Sequence, residues 1–143
     1  RTRYRNRHLT VIELNTGQYY TGAAHGIMAT RFLNWDNERE RVLELDDVIV
    51  PGKQSAYRQA LEAAHQAWMQ RRPEVQESGD AWTRMWPLQF SDNYAFTDSG
   101  LVIKYNSYEI APYSSGQPEL LIPYTQLRGI LRSEYLPDAR TRE

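Results

Sequence analysis

The sequence predicts an α+β fold: an antiparallel β-sheet with one long helix and one short C-terminal helix packed on one face. Three observations carry this. Short β-branched or alternating segments recur between turn residues, one long stretch switches to the helical period, and strands and helices do not alternate as βαβ units do. The 143 residues suit a single domain over 1–143. A chain of this length buries roughly 68–70% of its unfolded surface, so its core needs no covalent staple.

The elements follow in order. Arg1, Arg3, Arg5 and Arg7 alternate with other residues, as one face of a solvated edge strand does. "LTVIEL" (9–14) is β-branched and apolar, and "NTG" after it signals a turn. "QYYTGAAHG" then bends the chain around His25 through Gly22 and Gly26, and Met28, Thr30 and Phe32 alternate in a second strand. A short strand is expected at Val42–Leu45, before Pro51 and Gly52.

From Gln54 to Arg71 the period becomes helical. Tyr57, Leu61, Ala64 and Trp68 share one face, and Gln59, Glu62, Gln66 and Gln70 cover the other. Ser55 is the expected N-cap and Pro73 the stop. "PEVQESGD" (73–80) reads as a loop, and "AWTRMWPLQ" begins another ordered segment. Tyr94 and Phe96 lead into a "TDSG" hairpin turn, after which Leu101, Ile103 and Tyr105 alternate. "ELLIPY" (119–124) is a final strand. Leu127, Ile130 and Leu131 then fall at helical spacing behind Thr125, a second expected N-cap.

Composition excludes several functions. The formal net charge is −1 with both signs spread along the chain, which argues against nucleic acid as a partner. Cysteine is absent, so there is no disulfide and no thiol nucleophile. No apolar run approaches the ~20 residues of a membrane-spanning helix. His8, His25 and His65 form no ligand motif, so no metal is expected, and the absence of P-loop and G-x-G-x-x-G patterns leaves no cofactor to expect. No catalytic residue is assigned. Asp92 and Asp98 are explained by the hairpin. Glu109, in the otherwise apolar "YEIAPY", reads as a partly buried carboxylate held by tyrosine hydroxyls or backbone N–H groups. His25 reads as a structural histidine in a turn.

The stretch "YEIAPYSSGQPELLIPY" (108–124) is rich in tyrosine and proline. Pro112 and Pro123 fix backbone angles, and Gly116 permits a turn that a Cβ would obstruct. Tyr105, Tyr108, Tyr113 and Tyr124 are each expected to bury a ring and keep a hydroxyl at the surface. Such a segment serves equally as a fold keystone or as a binding rim, since tyrosine loses little entropy on contact.

The "TDSGL" turn, "YEIAPY", Gly116, "IPYTQL" and the upstream "YYTGAAHGI" together resemble the C-terminal domain shared by RsiV-type anti-sigma factors and PdaC-type peptidoglycan deacetylases. The resemblance spans about residues 9–132, with Ala23 where the family turn has a second glycine. It implies an extracytoplasmic domain, often in a lipoprotein or behind a membrane anchor outside these residues. In the RsiV type the domain binds lysozyme as a receptor would; in the deacetylases it is an accessory to a separate catalytic unit. No sigma-binding segment, membrane helix or deacetylase domain lies in these 143 residues. What carries over is therefore a non-catalytic bacterial envelope-binding module, with lysozyme-like muramidases, another envelope protein or peptidoglycan fragments as partners. Starting at "RTRYRN", without Met, the chain reads as lacking the N-terminal part of a longer protein.

The binding surface is expected around His25, Tyr108, Glu109, Tyr113 and Gly116. Two rivals remain: a cell-wall glycan enzyme using Glu109 and His25, and a purely structural domain.

Overall fold

A computed structural model of the chain describes residues 1–18 and 27–137, with Gln18 and Ile27 described by backbone alone. Two ten-residue strands, β2 (Leu9–Gln18) and β3 (Ile27–Asp36), pair antiparallel in unbroken register from Leu9↔Asp36 to Gln18↔Ile27. The edge strand β1 (Thr2–Arg5) pairs with β2 across a bulge between Thr2 and Tyr4, and β4 (Arg41–Val42) pairs with the end of β3. A second sheet holds β5 (Tyr94–Phe96), β6 (Gly100–Lys104) and β7 (Glu119–Pro123) in that order, all antiparallel. The α+β class is as expected, with two sheets in place of one.

The short helical pieces do not all follow the sequence expectation. The expected strand at Val42–Leu45 is only the two residues of β4, followed by a single helical turn α1 (Leu45–Val48). The long helix α2 (Gln54–Gln70) buries Tyr57, Leu61, Ala64 and Trp68 as its period predicts, and His65 and Met69 beside them. Its N-cap is Lys53, not Ser55, and no side chain caps it. The expected loop at 73–80 is instead α3 (Pro73–Ser78), followed by α4 (Asp80–Met85) across Gly79. Pro73 ends one helix by beginning the next: at N1 its missing N–H costs nothing. Val75 is the one buried residue of α3, too thin a pattern to show a period.

No α-helix forms at 125–131. Tyr124–Gln126 is a 3-10 turn capped by Pro123, and the chain then turns at Gly129, φ 79°. That angle is foreign to a right-handed helix and easy for glycine. Leu127 and Leu131 are still buried, and Leu131 bridges to Ile49. Their spacing marked burial correctly and conformation wrongly.

The inner face of the first sheet is unusually polar. Glu13, Thr30, Asn34 and Asp36 are all buried there beside Leu9, Val11 and Phe32. At the solvated edge of this sheet Arg1 is 71% exposed and Arg3 30%, yet each binds the Glu13 carboxylate at 3.0 Å, and Arg3 lies 5.9 Å from the Phe32 ring. Burial works against the Glu13 charge, yet the Asn15 hydrogen bond and the two arginines hold its carboxyl below the ordinary value.

The sheets are joined through side-chain amides. Asn93 donates to Thr30 O (2.7 Å) and accepts from Phe32 N (2.9 Å). Asn34 returns the arrangement, donating to Tyr94 O (2.7 Å) and accepting from Phe96 N (3.2 Å). Each amide therefore serves a C=O and the N–H two residues on, as one residue of a parallel neighbour would. Further along the same edge of β3, Asn106 accepts from Thr30 N (3.1 Å) and Gln117 donates to Met28 O (2.9 Å). Tyr94, Phe96 and Tyr135 pack as aromatic neighbours close by. On the other side, α2 lies against β7, whose Leu120 and Ile122 are fully buried.

Asp36 anchors the 3-10 turn Ser133–Tyr135. It is 2% exposed and accepts from the backbone N–H of Glu38 and Arg39, from the Arg39 guanidinium, and from the Tyr135 hydroxyl at 2.7 Å. Burial opposes its charge, but the Arg39 N–H, the Tyr135 hydroxyl and the remaining donors outweigh it and set the carboxyl below the ordinary aspartate value.

Two outcomes are expected. Asn93→Leu leaves a buried N–H and a buried C=O unpaired, so urea unfolding should show a loss of about 2–4 kcal/mol with an unchanged m-value. The depressed Asp36 carboxyl implies that the unfolded chain takes up the proton first as pH falls. Its stabilisation is thus complete near neutrality and disappears below about pH 4. Tyr135→Phe should cost about 1.5–3 kcal/mol at pH 7, and the gap to the parent should narrow when unfolding is measured near pH 3.

Candidate functional site

The connection between β6 and β7 carries Tyr108, Glu109, Tyr113 and Gly116. His25 lies outside the described residues. The connection begins with a tight double turn, in which Tyr108 N donates to Ala111 O (3.0 Å), Glu109 N donates to Asn106 O (3.2 Å), and the Glu109 carboxylate accepts from Asn106 N. Closing this turn puts Tyr108 at φ 73°, a left-handed angle that costs a bulky side chain about 1 kcal/mol or more. A 3-10 turn over Tyr113–Ser115 follows and ends at Gly116, φ 75° and ψ −142°, a region open in practice to glycine alone.

Both ends of the loop are fixed by the amides that join the sheets, Asn106 and Gln117. Its middle is tied to α3: Ser115 Oγ donates to Glu74 Oε2 at 2.9 Å, and Arg72 pairs with the same carboxylate at 3.0 Å. Arg72 also sits 5.2 Å from the Trp68 ring of α2. Burial opposes the Glu74 charge, yet its own N–H, Ser115 and Arg72 together hold the carboxyl below its ordinary value.

The four tyrosines expected to behave alike divide into two pairs. Tyr105 and Tyr124 are buried completely, hydroxyls included: Tyr105 donates to Gln89 O (2.8 Å) and Tyr124 to Thr97 O (2.5 Å). Tyr108 and Tyr113 are 55% and 38% exposed, with ring centroids 6.2 Å apart and planes inclined by 31°. Glu109 is exposed rather than partly buried, and what holds it is a backbone N–H rather than a tyrosine hydroxyl. Tyr108, Glu109, Tyr113 and Gly116 thus occupy one short loop.

Beside this loop runs a groove of about 370 Å³, lined by Leu14, Thr16, Ala29, Arg31, Asp92 and Glu109 among others. Arg31 and Asp92 pair across it at 3.1 Å, each 53% exposed. Water screens such a pair, which contributes about 0–1 kcal/mol. The groove therefore leaves this ion pair solvated. The arrangement can present aromatic faces and charges to a partner. Among the described residues no cluster of three or more His, Asp or Glu could hold a metal ion, and no helix is long and apolar enough to cross a membrane.

The sequence reading passed over Arg31, Asn106 and Gln117. The available signal was compositional: polar amides flanking otherwise apolar strands, where β-propensity disfavours asparagine.

The family model described as "Protein of unknown function (DUF3298)" matches residues 46–125. The fold is similar to a DUF3298 family protein from Pseudomonas aeruginosa PAO1, with TM-score 0.88 and 36% identity over 96% of this chain. It is also similar to a member of the same family from Bacteroides fragilis NCTC 9343, with TM-score 0.75 and 30% identity over 92% of this chain. This chain spans 62% and 52% of the lengths of those two structures. No curated protein matches. With more than half of its residues under the family model and the whole architecture shared, the chain belongs to the DUF3298 family.

Proposed function

We propose that this domain is a non-catalytic binding module of the bacterial cell envelope that presents the Tyr108–Tyr113 pair to a partner. The observation that carries the reading is the rim itself. Two tyrosine rings are exposed side by side on a loop whose backbone is held at a costly φ and tied down at both ends and in the middle. A strained conformation persists where the surroundings impose it, and such sites concentrate at binding surfaces. Tyrosines arranged in advance lose little entropy on contact, and exposed aromatic anchors dominate interface energies.

The partner class follows from the likeness of "TDSGL", "YEIAPY" and "IPYTQL" to the RsiV-type and PdaC-type domains: lysozyme-like muramidases, met outside the cytoplasm. Asp92 and Glu109 next to the rim suit a cationic protein of that kind. In this reading Glu109 serves recognition and its carboxylate fixes the loop.

The test is calorimetric titration with a C-type lysozyme and, separately, with soluble muropeptides, at near-physiological salt to screen nonspecific attraction. Saturable one-to-one binding to lysozyme is expected. Tyr113→Ala should weaken it about tenfold or more while moving the melting temperature little, because Tyr113 is partly solvated. Gly116→Ala should instead lower stability by about 1–3 kcal/mol through its backbone angle, although a Cβ there meets nothing within 4 Å. Heat from muropeptides alone would replace the protein partner with a glycan, and continued slow heat would point to turnover.

A further inference from the structure

The outer face of the first sheet departs from the pattern antiparallel sheets normally show. With one face on the core, such a sheet turns polar residues to water on the other. Directly paired residues share a face. Val42 stands opposite Trp35, and Ile12 opposite Leu33, while Leu33 is two residues from Trp35 and Leu14 two from Ile12. These five form one continuous apolar band, on the side away from the buried Val11, Glu13, Phe32 and Asn34. Leu14 is 45% and Val42 40% exposed, and Ile12, Leu33 and Trp35 are half-buried outside the hydrophobic core. Arg31 stands opposite Leu14, and the paired rows of this face in β2 and β3 hold no carboxylate. Apolar and tryptophan side chains with an arginine and no acid are the make-up of protein–protein interface centres.

The band continues beyond the sheet. Leu14 and Arg31 line the groove of about 370 Å³ that Asn106 and Glu109 also line, and Glu109 follows Tyr108 in its turn. The apolar band and the tyrosine rim are thus two ends of one surface, joined by that groove. The rim alone is small. Two rings 55% and 38% exposed supply only a fraction of the roughly 800 Å² that each partner gives to a stable protein complex.

We propose that the protein bound by the tyrosine rim also covers the band Ile12, Leu14, Leu33, Trp35 and Val42, so that the partner is a globular protein with an apolar patch beside a cationic one. The inference rests on the reading of Tyr108 and Tyr113 as a protein-binding rim. Cationic groups of the partner meet Asp92 and Glu109 at the groove, and its apolar patch takes the band out of water. A short glycan would engage the rim and leave the band hydrated, so the band selects a protein.

The experiment is cross-saturation NMR. The domain, deuterated except at Ile, Leu and Val methyl groups, is mixed with unlabelled C-type lysozyme at near-physiological salt, and the aromatic protons of lysozyme are irradiated. Attenuation is expected at the methyls of Ile12, Leu14, Leu33 and Val42, with the fully buried Leu120 and Ile122 unchanged as internal controls. Leu14→Thr combined with Leu33→Thr keeps good strand formers at both positions. It should weaken lysozyme binding about tenfold or more with little change in melting temperature. Unattenuated band methyls, with Tyr113→Ala still weakening lysozyme, would overturn this inference and leave the rim reading standing. Attenuated band methyls with a neutral Tyr113→Ala would support the band and sink the rim. Failure of lysozyme to bind would overturn both. Pairing of the free domain with itself through these methyls would assign the band to a second copy and overturn the proposal.

Discussion

Among the described residues no strand lies beside the outer edge of β3 between Met28 and Asn34, and the structure depends on how that edge is satisfied. A buried peptide group left unpaired is costly, so the edge must be met by something with the hydrogen-bonding pattern of a peptide. Three side-chain amides, Asn93, Asn106 and Gln117, meet it, and Asn34 does the same for the facing edge of β5. Asn93 reaches residues 30–32 and Asn34 reaches 94–96, so β3 and β5 run in the same direction. They are held one side chain apart rather than in a direct ladder. This spacing is what makes two sheets of one core. Because every member is satisfied, the network specifies a single register instead of weakening the interior.

The same amides determine where function can sit. Asn106 and Gln117 are at once the ends of the joint and the ends of the loop that carries Tyr108 and Tyr113. The left-handed angle at Tyr108 is therefore held by the turn's own hydrogen bonds and by the sheet junction at both ends of the loop. Glu74 and Arg72 extend that support to α3 and, through Trp68, to α2.

Tyrosine shows how one residue type serves both ends. Tyr105 and Tyr124 are buried with hydroxyls that close onto backbone carbonyls at Gln89 and Thr97, fixing the segments before β5 and within the hairpin turn. Tyr94 does the same at Leu43. Burying a phenol is favourable only with its hydroxyl paired, and these three meet that condition locally. Tyr57 does not: its hydroxyl is buried without a hydrogen-bond partner.

What the sequence determined by itself was whatever depends on period and local chemistry. The face of α2, the Thr97–Gly100 hairpin and the strands expected at 9–14 and 119–124 follow from apolar spacing and turn residues along the chain, although β2 runs on through 15–17, expected as a turn, and β7 ends at Pro123. That the 108–116 segment breaks between strands was also legible, from Pro112 and Gly116. Only the tertiary structure decided the rest. Asn34 and Asn93 are 59 positions apart in the numbering, so no local pattern shows that each completes the other's strand. Tyr105 and Tyr108 look alike three residues apart, yet one is sealed in the core and the other faces water, because a turn at φ 73° separates them. Leu127 and Leu131 kept their burial and lost their helix because Gly129 and the bridge to Ile49 redirected the backbone. Local chemistry chose the elements; the pairing of distant polar groups chose how they meet.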